Sequence, residues 1–372
     1  MKFNVNIHEF LNAINEVKFT IAKHDVLKKV IVIAKDNKVK LATTNLDQST
    51  IVEIEAEVEI TGSMLIPMKL TLDLLKNMTS NLPKYGDYRL NVELDEDNKV
   101  LLSLDDMKCK ISSEKTTEFP AVYDFDVIYN KIEAKDLVKG LEQVVYSCSK
   151  NENNPVLCGV YFDFSNEENV LSATDCKRLT TYSLDQYVVI PDSLKNGFIV
   201  PSEAVKRIIG LSKNAETINL ARDKNNLYYN NGNVTYVTRL IEGHYPDYKR
   251  IITNSFATNI TFSKTVLLKS LKILEPFTDS VNSSVYYKFD ATGKSVTLLA
   301  GSVESGEIES IVNCDSDTTF TDNICLNLKY VMEYLKSADG DTVVMHLNRK
   351  NQPVSFTGEN YSHNYIVMPI LR

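Results

Sequence analysis

The chain repeats itself three times, and that limits its fold more than any other feature of its 372 residues. Four kinds of segment recur in the same order. The first carries apolar residues at helical spacing: residues 7–19 (IHEFLNAINEVKF), 133–147 (EAKDLVKGLEQVVYS) and 263–277 (SKTVLLKSLKILEPF). Leu137, Leu141 and Val144 fall at i, i+4 and i+7, and Leu267, Leu271 and Leu274 repeat that spacing, which predicts amphipathic helices. Ser263 is placed to cap the third. The second segment is a strand pair around a polar turn, at 28–58, 159–187 and 284–312. The third is a short strand running into a second helix: MLIPMKLTLDLLKNM, FIVPSEAVKRIIGLSK and ICLNLKYVMEYLKSA. Ser202 suits a helix start, and Asn327 a cap. The fourth, at 88–113, 217–243 and 341–369, alternates apolar and polar residues between Asn- and Asp-rich turns.

Each third thus reads as two helices and two groups of antiparallel strands, an α+β unit with its helices on one side of the sheet. Breaks near 121–130 and 253–258 give domains at 1–121, 129–252 and 258–372. The connections are short, so the domains are expected to pack closely. Such an array curves, and closes into a ring if its ends match. The run Glu53 to Ile60 alternates strictly and reads as one strand with an acidic wet face.

The search for chemistry finds little. The five histidines show no metal-ligand spacing, and none of the six cysteines forms a C-x-x-C pair. Phosphate-binding glycine loops and the G-x-S-x-G elbow are absent from the sequence. Neither a metal nor a cofactor is expected. Asp95-Glu96-Asp97 and Asp105-Asp106 read as solvated turns, the competing reading being a metal-dependent nuclease. The oddest stretch is Thr174-Asp175-Cys176-Lys177-Arg178-Leu179, which has no visible nucleophile or histidine partner. No apolar run is long enough to span a membrane and the N-terminus does not read as a signal peptide, so a cytoplasmic protein with no membrane partner is expected. Binding or scaffolding is favoured over catalysis.

Three stretches carry a resemblance: LSATDCKRL at 171–179, LIEGHYPDYKR at 240–250 and YIVMPILR at 365–372. Together with the opening MKFNVNIHEFLNAI and the threefold repeat, they resemble the bacterial replicative sliding clamps, the beta subunits of DNA polymerase III. The resemblance runs over essentially the whole chain. It implies three DNA-clamp domains per subunit and a head-to-tail homodimer forming a pseudo-sixfold ring, with helices lining the hole and strands outside. It implies a non-catalytic processivity factor that encircles duplex DNA without reading sequence. Its partners would be the polymerase III alpha subunit or an equivalent polymerase, a clamp loader, and other proteins bearing clamp-binding motifs. The charges suit this: the six helical stretches sum to a formal +7 in a chain of net −8, leaving −15 elsewhere.

Carried over residue by residue, the resemblance implies a partner-peptide cleft between the central and C-terminal domains. Its wall would include Leu157, Thr174, Lys177, Arg178, Leu179, Pro246, Ile251, Ile366, Met368, Pro369 and Ile370. Met and Ile offer adaptable apolar surface, and Arg178 is expected to lie along the cleft with its head toward the peptide. DNA-facing candidates are Lys23, His24, Lys76, Lys139, Lys150, Lys206, Arg207, Lys264 and Lys272. For the subunit interface the candidates are Met107, Lys108, Cys109 and Ile111 on one strand, Val296 and Leu298 on another, with Ile273, Leu274 and Phe277 beside them. The chain also departs from the family pattern. Cys176-Lys177 stands where Gly-His is common, Leu371-Arg372 where many members end Arg-Leu, and residues 24–29 lack the usual Pro-Ile-Leu. The alternative to an encircling clamp is a scaffold with the same fold that does not encircle DNA.

Overall fold

Each apolar stripe becomes a helix face against a sheet. The computed structural model describes all residues except 23–25, 84, 122–124, 165–167, 254, 303–304, 318–319, 321, 360–361 and 372. The described residues form six α-helices, two in each third of the chain: α1 (Ile7–Val17), α2 (Met68–Thr79), α3 (Ala134–Val144), α4 (Ser202–Leu211), α5 (Lys264–Leu274) and α6 (Leu328–Ser337). Leu137, Leu141 and Val144 are buried, as are Leu267, Leu271 and Leu274, so the i, i+4, i+7 triads are the buried faces of α3 and α5. Burying one such side chain is worth roughly 1.5–3 kcal/mol. Asn327 caps α6 by accepting from Tyr330 N, and Asn6 caps α1 by accepting from His8 N and Glu9 N. Ser263 precedes α5 without a side-chain capping bond, its hydroxyl meeting Thr265 Oγ1 at 3.2 Å instead.

The described strands pair antiparallel. They build two compact units, one of residues 1–132 and 217–239, the other of 133–216 and 240–372. In the first unit, strands of the middle third complete a sheet begun by the first third: Val234–Arg239 pairs with Gln48–Glu55, setting Val234 against Val52 and Thr238 against Gln48. In the second unit, Arg178–Ser183 pairs with His363–Val367, so a twelve-stranded sheet joins the middle and last thirds. Backbone pairing thus runs across the sequence repeats.

The acidic run at 53–60 is not one strand. It breaks at Ala56, with Gln48–Glu55 in the eight-stranded sheet and Glu57–Ile60 at the edge of a separate five-stranded one. Ile60 is exposed, so alternation there does not mark a buried face. Asp95–Asp97 do form a hairpin tip, where Asp95 Oδ1 accepts from the N–H groups of Asp97 and Lys99. Asp105 and Asp106 turn between Lys99–Leu104 and Met107–Ser112. Among the described residues no group of His, Cys, Asp or Glu is placed to hold a metal ion. No described helix is long and apolar enough to cross a membrane.

Candidate functional site

The T-D-C-K-R stretch is a tight connection between Val170–Thr174 and Arg178–Ser183, and its own polar groups hold it. Thr174 Oγ1 donates to the Arg178 carbonyl at 2.5 Å and accepts from Cys176 N at 3.2 Å. Asp175 Oδ1 accepts from Lys177 N at 2.9 Å and Arg178 N at 3.0 Å. Cys176 is exposed and sits at φ +70°, the left-handed region that favours glycine.

Arg178 is only 6% exposed. Nε donates to Asp175 Oδ2 at 3.1 Å, Nη2 to the Tyr146 carbonyl at 2.6 Å, and Nη1 to Glu333 Oε2. The guanidinium lies over the Tyr330 ring, 4.2 Å from its centroid, with Tyr146 at 5.6 Å. Burial alone would lower its pKa, but Tyr365, Glu333 and Asp175 outweigh it and hold the group charged. The expectation of a head reaching toward a peptide is therefore corrected. Arg178 spends its donors inside the protein, tying the strand connection to α6. Burial raises the Tyr146 and Tyr330 hydroxyls to about 12, and the Cys148 thiol likewise.

Beside this cluster runs a groove of about 570 Å³. Leu157, Lys177 and Arg178 line it, as does Lys150, one of the DNA-facing candidates. Tyr330, Glu333 and Lys329 of α6 complete it and were missed. Glu333 lies four residues after Lys329 and three after Tyr330, which puts it beside both on the helix surface, a signal the sequence did carry. The C-terminal tail passes nearby: Met368 N donates to the Lys177 carbonyl at 2.9 Å, and Ile370 N to the Cys325 carbonyl at 2.7 Å. Met368 is exposed, and Pro369 and Ile370 are half-buried.

The remaining cleft candidates are not among the residues that line this groove. Leu179 and Ile366, cross-strand partners, are buried with Val170 and Tyr248, against Tyr161, Tyr245 and Ile252. Ile252, not the exposed Ile251, meets that cluster. Pro246 is exposed and accepts from Tyr248 N at 2.8 Å, while Thr174 is buried in its turn. Ile366 also borders a second depression of about 490 Å³, together with Ile252, Phe256 and His346.

Of the DNA-facing candidates, Lys76, Lys206 and Lys272 are exposed on their helices, and Arg207 is half-buried. Lys139 is bound to Asp339 at 2.7 Å, and Lys264 donates to the Ala338 carbonyl at 2.9 Å. Lys23 and His24 lie outside the described residues. The observed helices are shorter than the segments read from sequence, so their formal charge is +4 rather than +7.

Among the interface candidates, Met107, Lys108 and Ile273 are exposed, Cys109 and Phe277 half-buried, and Ile111 and Leu274 buried. Val296 and Leu298 are fully buried, and their strand Ser295–Ser302 is paired on both sides, with Ser284–Phe289 and Gly306–Ser316. This corrects the choice of edge, because a strand paired on both sides has no free backbone to offer. Among the described residues, the open edge nearby is residues 306–312 of Gly306–Ser316, whose far side pairs with Thr258–Ser263 only at 314–316.

Two family comparisons match the chain: DNA polymerase III beta subunit, N-terminal domain, over residues 1–123, and the central domain of the same subunit over 131–247. The beta sliding clamp of Chlamydia muridarum is 22% identical over 374 residues, covering 100% of this chain and 99% of the relative. That of Synechocystis is 26% identical over 367 residues, covering 93% and 92%. The crystal structure of the DNA polymerase III subunit beta from Pseudomonas aeruginosa superposes with a TM-score of 0.90 at 18% identity, with full coverage of both chains. The polymerase beta subunit of Streptococcus pyogenes gives 0.90 at 20% identity, also with full coverage.

Proposed function

The chain belongs to the DNA polymerase III beta-subunit family, a family of non-catalytic sliding clamps, and from that premise we propose that two copies close head to tail into a ring around duplex DNA. Each copy supplies three clamp domains, 1–121, 129–252 and 258–372. The ring tethers a replicative polymerase, the alpha subunit of DNA polymerase III or its equivalent, and so confers processivity. A clamp loader opens it, and partner proteins dock short peptides in the groove beside Arg178. The observation that carries this reading is the threefold repeat of two helices on antiparallel strands, matched to sliding clamps along the whole chain.

For closure, the edge strand Met107–Ser112 of one copy pairs with residues 306–312 of the other by β-addition. Lys108 and Lys110 on the first strand and Glu307 and Glu309 on the second supply opposite charges at matching two-residue spacing. Exposed Ile311 and Met107 add apolar contact. Sedimentation tests this. The unaltered chain should run as a dimer at micromolar concentration, and Glu307→Lys with Glu309→Lys should run as a monomer. Mixing that variant with Lys108→Glu/Lys110→Glu should restore a mixed contact. An unaltered chain that stays monomeric would favour the scaffold that does not encircle DNA.

A further inference from the structure

The groove beside Arg178 shows an imbalance of charge. Its two carboxylates, Asp175 and Glu333, are both committed to Arg178. Its three lysines, Lys150, Lys177 and Lys329, are exposed, and no ion pair holds them among the described residues. They sit on three different elements: the loop after α3, the 174–178 connection and the first turn of α6. The lining therefore carries a formal +2 on a chain of net −8. Glu152 lies on the same loop as Lys150 but does not line the groove. Leu157 and Tyr330 give the groove an apolar component between these ammonium groups.

We propose that this groove selects partner peptides in which apolar residues are flanked by aspartate or glutamate. The inference rests on the reading of the groove as the partner-peptide site, and adds the chemistry it prefers. A carboxylate on the peptide meets lysines with no competing internal acid, whereas a basic peptide meets three like charges and finds both acids occupied. Phosphates would also satisfy lysines. A nucleic acid backbone, however, wants a continuous basic track, and this short groove has an apolar lining and the half-exposed Glu333 on its wall.

The test pans a random phage-displayed dodecapeptide library on the full-length chain, followed by synthesis and fluorescence anisotropy of the selected peptides. Recovered sequences should be enriched about threefold in Asp and Glu beside apolar residues. Replacing Lys177 and Lys329 by Gln should weaken binding by about twofold to fivefold per lysine, and more at low salt than at high. Lys224→Gln, which does not line the groove, should change nothing. All three are exposed, so folding is not at risk, and thermal melts verify it. Selected peptides that photo-crosslink within the groove but lack acidic enrichment would overturn the charge preference and leave the peptide site standing. Peptides that crosslink elsewhere would overturn the peptide site itself. Displacement of an acidic peptide by oligo(dT) at equal concentration would reassign the lysines to nucleic acid.

Discussion

The two units bury the same kind of helix face but carry charge differently. In the first unit, α1 and α2 sum to a formal −1, because α1 has Glu9 and Glu16 and no lysine. In the second, α3 to α6 sum to +5, with Lys264, Lys269 and Lys272 all on α5. Both units carry solvent-exposed ion pairs, Lys294–Asp315 among those of the second, and the second also has a buried one. Lys2–Glu59 and Lys38–Glu53 of the first unit lie in solvent, at 2.6 and 2.7 Å. The second unit sinks Arg178 between two tyrosines and two carboxylates. Apolar periodicity builds the scaffold in every repeat, while the wet faces are free to diverge. The positive helix charge and the charged groove both fall in the second unit.

The largest expected effect is on the buried cluster. Arg178→Ala leaves Glu333 and Asp175 without their cation and should cost about 3–5 kcal/mol in denaturant unfolding. Lys38→Ala, at an exposed pair, should leave the midpoint where it is. Equal effects would erase the contrast.

Acid should act next, through His363. Burial lowers its pKa from 6.5 to about 4. The unfolded chain takes up this proton as pH drops through 6.5, whereas the folded chain resists until about 4. Stability from this site is therefore full above that window and drains as pH falls through it, by roughly 3 kcal/mol in all. Tyr334, Asp339 and Lys139 surround the ring, and His363→Gln should flatten this acid limb in a pH series of melts.

The helix charges should show in DNA association. Lys269→Glu with Lys272→Glu should weaken it and reduce the log–log salt slope by about two. Glu9→Lys with Glu16→Lys should strengthen it and steepen the slope. Identical responses from α1 and α5 would mean that the helix charges do not set the grip.

The smallest effect concerns Cys176. Its φ of +70° is strained for a side chain with a Cβ, so Cys176→Gly should stabilise the chain by about 0.5–1 kcal/mol. A loss of stability would mean that the thiol makes up for the strain.

What could be read from the sequence was local. The triads on α3 and α5 and the cap at Asn327 follow from spacing within one or two turns. Strand partners did not follow, because alternation fixes which face is buried and not which neighbour is chosen. Hence Ser295–Ser302 read as an edge although it lies between two strands, and 53–60 read as one strand although Ala56 divides it. At the site, Arg178 was identified but its role was not, since Glu333 lies 155 residues further along the chain. Lys150 and Lys329 reach one groove only through folding. The departure at Cys176 was visible in the sequence, and its backbone angle is what gives it physical meaning.

Encirclement is the central claim, and topology tests it most directly. The protein would be loaded with its clamp loader and ATP onto nicked circular DNA, gel-filtered at high salt, and the circle then linearised. Retention on the circle with loss after cutting is the expected result. Loss from both forms, with the loader independently active, would contradict it.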